Sequence, residues 1–117
     1  MKQFNNLLPF LAGCVILFLL FSTPSHAAEI TISTSESDGS PIISVSGEIT
    51  EGDQDKFRNF ARKAPKALVF LDSPGGLIKP AIEIGKLIYY NEMTTIVEDA
   101  DCASACGLIW LAGETRV

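Results

Sequence analysis

A serine between two cysteines is the most chemically suggestive feature of this sequence. In the segment DADCASACGLIWLAG, residues 99–113, Ser104 lies between Cys102 and Cys106, and an apolar run follows at once. A serine at the start of a helix can attack a carbonyl group while the N–H of the next residue, Ala105, binds the developing oxyanion. The simpler interpretation is that Ser104 only caps a helix.

A glycine pair precedes this segment. The sequence LDSPGG, residues 71–76, ends in Gly75 and Gly76, which can adopt backbone conformations that a Cβ forbids. Such a pair lets main-chain N–H groups approach a substrate closely. Taken alone, Pro-Gly-Gly is typical of a simple turn. Because each motif follows a predicted strand, we expect both at the carboxyl edge of one parallel sheet, where open α/β sheets place their sites.

The two cysteines predict a disulfide between Cys102 and Cys106. Four-residue spacing inside a helix gives a Cα separation near the upper limit for a disulfide, but Cys102 precedes the predicted helix, so the local geometry can close. Such a bond would brace the turn that presents Ser104. Two free buried thiols are the alternative. Two thiols without histidine are too few ligands for a metal site, and no metal or other cofactor is expected.

The first 27 residues have the pattern of a secretory signal. Lys2 supplies the positive charge, residues 7–21 form an apolar run, and small residues near Ala27 suit a cleavage site. The run is shorter than the ~20 residues that span a bilayer. We therefore predict a periplasmic or secreted protein cleaved after Ala27. The alternative is that residues 7–21 remain as a membrane anchor.

The composition limits the kinds of binding partner that are expected. The chain of 117 residues has 9 basic and 14 acidic residues and a formal net charge of −5. An acidic chain is not expected to bind nucleic acid, and a membrane contact is expected only through an uncleaved signal. The single histidine, His26, falls inside the predicted signal.

The rest of the chain predicts one α/β domain over residues 28–117 with a mostly parallel sheet. Strand patterns alternate with helical patterns, as in βαβ units. The predicted strands cover residues 29–33, 42–47, 67–71 and 94–98, and the predicted helices cover residues 50–65, 77–90 and 104–111. Thr50 is predicted to cap the first helix.

The two motifs together resemble the Clp protease proteolytic-subunit superfamily, which has the crotonase-like fold. The similarity is greatest to exported, periplasmic ClpP-like proteins, through LDSPGG, the C-x-S-A-C segment and the ending AG-x-x-R. It covers roughly residues 42–117, so the resemblance implies the N-terminal part of such a domain. It also implies a peptidase-like serine hydrolase with peptide or protein substrates and a possible homo-oligomer.

The resemblance assigns roles to individual residues. Ser104 matches the nucleophile, and the N–H groups of Gly76 and Ala105 match the oxyanion hole. Gly75, Leu77 and Ile78 would lie along the groove where a peptide adds as a strand.

One departure from that family is plain. Its catalytic base is a histidine, and no histidine follows His26 here. Lys79 and Lys86 are expected to be solvated lysines on a helix face. No peptidase activity is therefore expected from this chain. The alternatives are a non-catalytic peptide-binding module, a degenerate or truncated reading frame, and a CoA-thioester enzyme, which the export signal disfavours.

Overall fold

The structure, a computed structural model, describes residues 26–117, so residues 1–25 of the predicted signal lie outside the described part. The predicted α/β fold is confirmed. The elements, in chain order, are β1 (Glu29–Thr34), β2 (Pro41–Ser46), α1 (Asp53–Lys63), β3 (Leu68–Asp72), α2 (Ile78–Tyr90), β4 (Thr94–Ile96), α3 (Ala105–Leu111) and β5 (Thr115–Arg116). Within residues 26–117, every helix is too short or too polar to cross a bilayer.

The five strands form one mixed sheet in the order β1-β2-β3-β4-β5. β1 and β2 form an antiparallel hairpin, and β2 to β5 are parallel. The turn between β1 and β2 is closed by the N–H of Ser35, which donates to the Ser40 carbonyl at 2.8 Å. Within the turn, the N–H of Ser40 donates to the Asp38 carboxylate at 3.0 Å. That bond and the Ser40 side chain hold the pKa of Asp38 below its usual value.

All three helices lie on one face of the sheet. Successive parallel strands are neighbours, and crossovers between parallel strands are right-handed in nearly all proteins. When the sheet grows in one direction only, that handedness places every crossover helix on the same side. The contacts agree, because α1 packs on α2 and α2 packs on α3.

The core lies between that face and the helices. Strand residues alternate between the two faces, so every second side chain points toward the helices. The fully or almost fully buried residues of this layer include Ile43, Val45, Val69, Leu71, Phe57, Ile84, Ile88 and Ile109. The opposite face of the sheet, which we call the open face, carries the alternate residues, and none of the described helices covers it.

The first helix begins differently from the prediction. Thr50 is not its cap, since Gly52 is the N-cap residue, with φ +96°. The carboxylate of Asp53 instead accepts hydrogen bonds from the N–H (2.7 Å) and the hydroxyl of Thr50. The expected capping roles are therefore exchanged, because the side chain of Asp53, the first helical residue, accepts hydrogen bonds from Thr50. This buried carboxylate fixes the entry of α1 onto the sheet.

Candidate functional site

The two sequence motifs meet in the structure. A Cβ built on Gly75 would stand 2.8 Å from the Ser104 Cβ and 3.0 Å from the Ala105 nitrogen. Real Cβ atoms do not approach other atoms so closely, so only glycine fits beside this turn. The contact follows from the sheet, because β3 and β4 are parallel neighbours and their carboxyl ends meet at one edge. The predicted juxtaposition of the glycine pair with the serine is thus observed.

Ser104 occupies a backbone conformation that favours glycine. Its φ is +52° and its ψ −125°, the values of the first central residue in a type II′ turn. The N–H of Cys106 donates to the carbonyl of Ala103 at 3.1 Å, which closes that turn. A serine held in this region costs about 1–3 kcal/mol of backbone strain. The strained turn presents an exposed Ser104 in front of α3.

The predicted disulfide is present. Cys102 and Cys106 are joined by an S–S bond of 2.08 Å with a Cα–Cα distance of 5.1 Å. The separation is short because Cys102 precedes α3 and the turn at Ser104 folds the chain back. Main-chain hydrogen bonds also hold the segment before this turn. The Ser73 N–H donates to the Asp101 carbonyl at 2.7 Å, and the Ser73 carbonyl accepts from the Ala103 N–H at 3.0 Å.

Ile49 holds the glycine segment from one side. Its N–H donates to the Gly75 carbonyl at 2.8 Å, and its carbonyl accepts the Leu77 N–H at 2.9 Å. The N–H of Gly76 belongs to the same trans peptide group as the Gly75 carbonyl and points the opposite way, so it is directed away from Ile49. Ile78 is the first residue of α2, and its N–H is one of the unpaired donors at the start of that helix. A Cβ on Gly76 would overlap the Ile49 carbonyl oxygen at 2.2 Å, so this pairing requires glycine.

Three main-chain donors at this place have no acceptor among residues 26–117. They are the N–H groups of Gly76, Ile78 and Ala105. The Ser104 hydroxyl likewise makes no hydrogen bond within the described part of the chain. Gly76 and Ile78 are exposed, so their N–H groups are open to a ligand, whereas Ala105 is 2% exposed. A buried N–H is nearly always paired in proteins, so the Ala105 donor is the one that most needs an acceptor.

The surroundings of the free donors are partly apolar. Leu77 is 50% exposed and Ile78 61% exposed, although both are large aliphatic residues. The Lys86 ammonium pairs with Glu83 at 3.0 Å on the outer face of α2, as expected for a solvated lysine. In the described residues, no group of three potential metal ligands comes together.

Sequence inspection missed the contribution of Ile49. It lies between β2 and α1, outside both predicted motifs, and its role is carried entirely by main-chain atoms. The one available signal was its position shortly after a predicted strand, in a segment otherwise rich in polar residues.

Comparisons with known proteins identify no family. No family model matches the chain, and no curated protein matches it. Among solved structures, the chain is similar to an uncharacterised protein of the DUF3478 family with a SpoIIAA-like fold from Shewanella loihica. The two are 17% identical, the match covers 67% of this chain and 73% of that one, and the TM-score is 0.47. This likeness is too low to assign a function.

The predicted resemblance to ClpP-like proteins is therefore corrected. The structural match is to a SpoIIAA-like fold and not to a ClpP or crotonase fold, so the ClpP-like assignment and the serine hydrolase that it implied are wrong. The physical reason is that the two motifs are not specific. A glycine pair that follows one strand can meet a serine that follows the neighbouring strand, because the carboxyl ends of parallel strands lie at the same edge of any such sheet. The roles of Ser104, Gly76 and Ala105 and of the groove residues Gly75, Leu77 and Ile78 stay predictions.

Proposed function

We propose that this chain is a peptide-binding module without catalytic activity. An extended peptide would add along Gly76 and Leu77, up to the start of α2 at Ile78, and place one main-chain carbonyl beside Ser104. The observation that carries this proposal is the pairing of Ile49 with Gly75 and Leu77, which turns the N–H and C=O of Gly76 away from Ile49. Strand addition is a common way to bind peptides, because main-chain hydrogen bonds supply affinity whatever the peptide sequence.

The spacing of the free groups suits an extended ligand. Gly76 offers an unpaired N–H and C=O, and two residues later the start of α2 adds the unpaired N–H of Ile78. A peptide residue opposite Gly76 can exchange hydrogen bonds with its N–H and C=O, and the next carbonyl can reach the Ile78 N–H. The exposed side chains of Leu77 and Ile78 would then contact apolar side chains of the peptide.

The N–H of Ala105 and the Ser104 hydroxyl would complete the site. Both are donors without a partner in residues 26–117, and Gly75 packs directly against their residues. The acidic residues Glu98, Asp99 and Asp101 precede this turn. Their charge disfavours a carboxylate ligand, so a neutral main-chain carbonyl is the oxygen that we expect here.

The proposed setting is outside the cytoplasm, as the signal pattern in residues 1–27 predicts. A binding module there would meet peptides or unfolded segments of exported proteins. The disulfide Cys102–Cys106 supports this setting, because disulfides persist in oxidising compartments.

Peptide N-methylation tests the proposal. The probe is a fluorescent, uncharged octapeptide of alternating valine and serine, and binding is measured by fluorescence anisotropy. N-methyl groups placed on the amides that face the protein should weaken binding at least tenfold, whereas methyl groups on the alternate amides should not. Equal effects at all positions, or no effect at any, would contradict strand addition.

A side-chain variant tests the role of Ser104. Ser104→Ala keeps the backbone strain and removes only the hydroxyl, so we expect binding to weaken about fivefold, as for one lost hydrogen bond. Ser37→Ala in the turn between β1 and β2 is the matched control and should leave binding unchanged. Equal affinity for Ser104→Ala and the control would remove Ser104 from the site.

A further inference from the structure

The open face of the sheet is apolar at its centre. Ile42, Leu68, Phe70 and Ile96 belong to the strand positions that alternate with the buried core, and all four are only partly buried. The register brings them together, since Ile42 pairs with Leu68 and Phe70 pairs with Ile96. Parallel sheets are almost always covered on both faces. Here the described helices cover one face, so the apolar centre is a surface suited to a partner.

The rim of the open face at the carboxyl ends of the strands is acidic. Glu29, Ser46 and Asp72 lie side by side in one row of the sheet, and Glu98 and Asp99 follow β4. None of these four carboxylates has a lysine, arginine or histidine partner within ion-pair distance among residues 26–117. By contrast, Asp53, Asp55 and Glu83 in helices α1 and α2, and Glu92 just after α2, each pair with a lysine or arginine.

A hollow joins the apolar centre to the acidic rim. Its volume is about 260 Å³, and the open-face residues that line it are Ser44, Ser46, Phe70, Asp72, Glu98 and Asp99. The ring of Phe70 lies at the apolar end and the carboxylates at the other. That arrangement matches a lysine or arginine side chain, which has an apolar stem and a charged head.

From this complementarity we propose that the open face docks a cationic amphipathic segment of a protein partner. The apolar side of the segment lies on Ile42, Leu68, Phe70 and Ile96. One basic side chain enters the hollow, and others contact the acidic rim. A second copy of this acidic chain is a poorer occupant, because it would bring more negative charge to a rim that lacks cations. The proposal does not depend on peptide addition at Gly76 and Ile78.

The test uses the protein as purified from the cells that express it, together with a defined probe. The probe is a fluorescent amphipathic helical peptide of leucine and lysine, and its control has glutamate in place of every lysine. We expect the lysine peptide to bind, with affinity that falls as salt rises, and the glutamate peptide not to bind. Equal binding of both peptides, or binding of neither, would overturn the proposal.

Variants locate the contact. The double variant Glu98→Gln, Asp99→Asn should bind the lysine peptide about tenfold more weakly, as the loss of two exposed ion pairs would give. Asn tolerates the positive φ of Asp99, +46°. Glu83→Gln on the outer face of α2 is the matched control and should bind as the wild type does. Ser104→Ala should also bind normally, which separates this surface from the proposed strand-addition site.

Two other occupants have distinct signatures. If a second copy covers the face, the protein will sediment as a dimer and Phe70→Lys will make it a monomer. If residues 7–21 cover it, the lysine peptide will bind only to a chain that lacks them. Either result would overturn the proposal.

Discussion

Gly75 lies directly against Ser104, so closely that a Cβ on Gly75 would stand 2.8 Å from the Cβ of Ser104. The two residues come from loops after neighbouring parallel strands, and this contact brings the free N–H groups of Gly76 and Ala105 to one place. The site therefore requires glycine at position 75, because any side chain there would overlap Ser104.

Substitution of Gly75 should be costly. An alanine there would have a φ of +105° and would overlap the carbonyl oxygen of Ala103 and the Ser104 Cβ. We expect Gly75→Ala to lower the free energy of unfolding by about 3 kcal/mol in denaturant titration. Gly107→Ala is the control, since a Cβ on Gly107 meets open space inside α3. It should raise stability by about 0.5–1 kcal/mol. Similar effects of the two substitutions would contradict the described contact.

Replacement of Ser104 by glycine should stabilise the protein. The type II′ turn places Ser104 at φ +52°, where glycine is unstrained. We expect Ser104→Gly to raise the free energy of unfolding by about 1 kcal/mol, which for a domain of this size raises the Tm by roughly 4–8 °C. Ser33→Gly, in the regular strand β1, should instead lower it. A Ser104→Gly variant less stable than the wild type would show that the turn is not strained.

Reduction of the disulfide should loosen the turn. The bond closes a short loop, and the chain-entropy model gives it about 2 kcal/mol. Dithiothreitol should therefore lower the Tm of the wild-type protein, while the double variant Cys102→Ala, Cys106→Ala should be insensitive to it. An equal response of both proteins to dithiothreitol would mean that the cysteines are not paired.

The end of α2 carries a testable titration. The Lys66 ammonium donates to the Asn91 carbonyl and to the Glu92 carboxylate, at 3.0 and 2.9 Å. The Lys66 hydrogen bond and charge hold the pKa of Glu92 below its usual value. A lowered carboxyl pKa stabilises the folded chain above the usual glutamate pKa, and the contribution is lost as pH falls through the lowered value. NMR titration of Lys66→Met should show the Glu92 pKa returned toward normal, whereas Lys63→Met should leave it lowered.

Much of the fold could be predicted from local sequence patterns. The apolar run before LDSPGG predicted β3, and the helical periodicity after it predicted α2 to within one residue. The meeting of Gly75 with Ser104 also followed, because parallel neighbours bring their carboxyl ends together. These features are local or depend on the handedness of βαβ units, so one sequence is enough to predict them.

Other features depend on contacts that leave no sequence signal. Ile49 acts through its main chain, so its side chain gives no indication of the bridge to Gly76. Thr50 fits a cap by its type, yet Asp53 reverses the cap because its carboxylate is buried against the Thr50 N–H. The family assignment failed for a related reason, since short motifs report a local arrangement and not the architecture around it.

Amide hydrogen exchange at residues 76–78 tests the central claim most directly. In the free protein, the Leu77 amide should exchange slowly, because it donates to Ile49, while the Gly76 and Ile78 amides exchange fast. Saturation with the uncharged valine–serine octapeptide should slow exchange at Gly76 and Ile78 at least tenfold and leave Leu77 nearly unchanged. Saturated protein in which Gly76 and Ile78 still exchange at their free rates would contradict peptide addition at this edge.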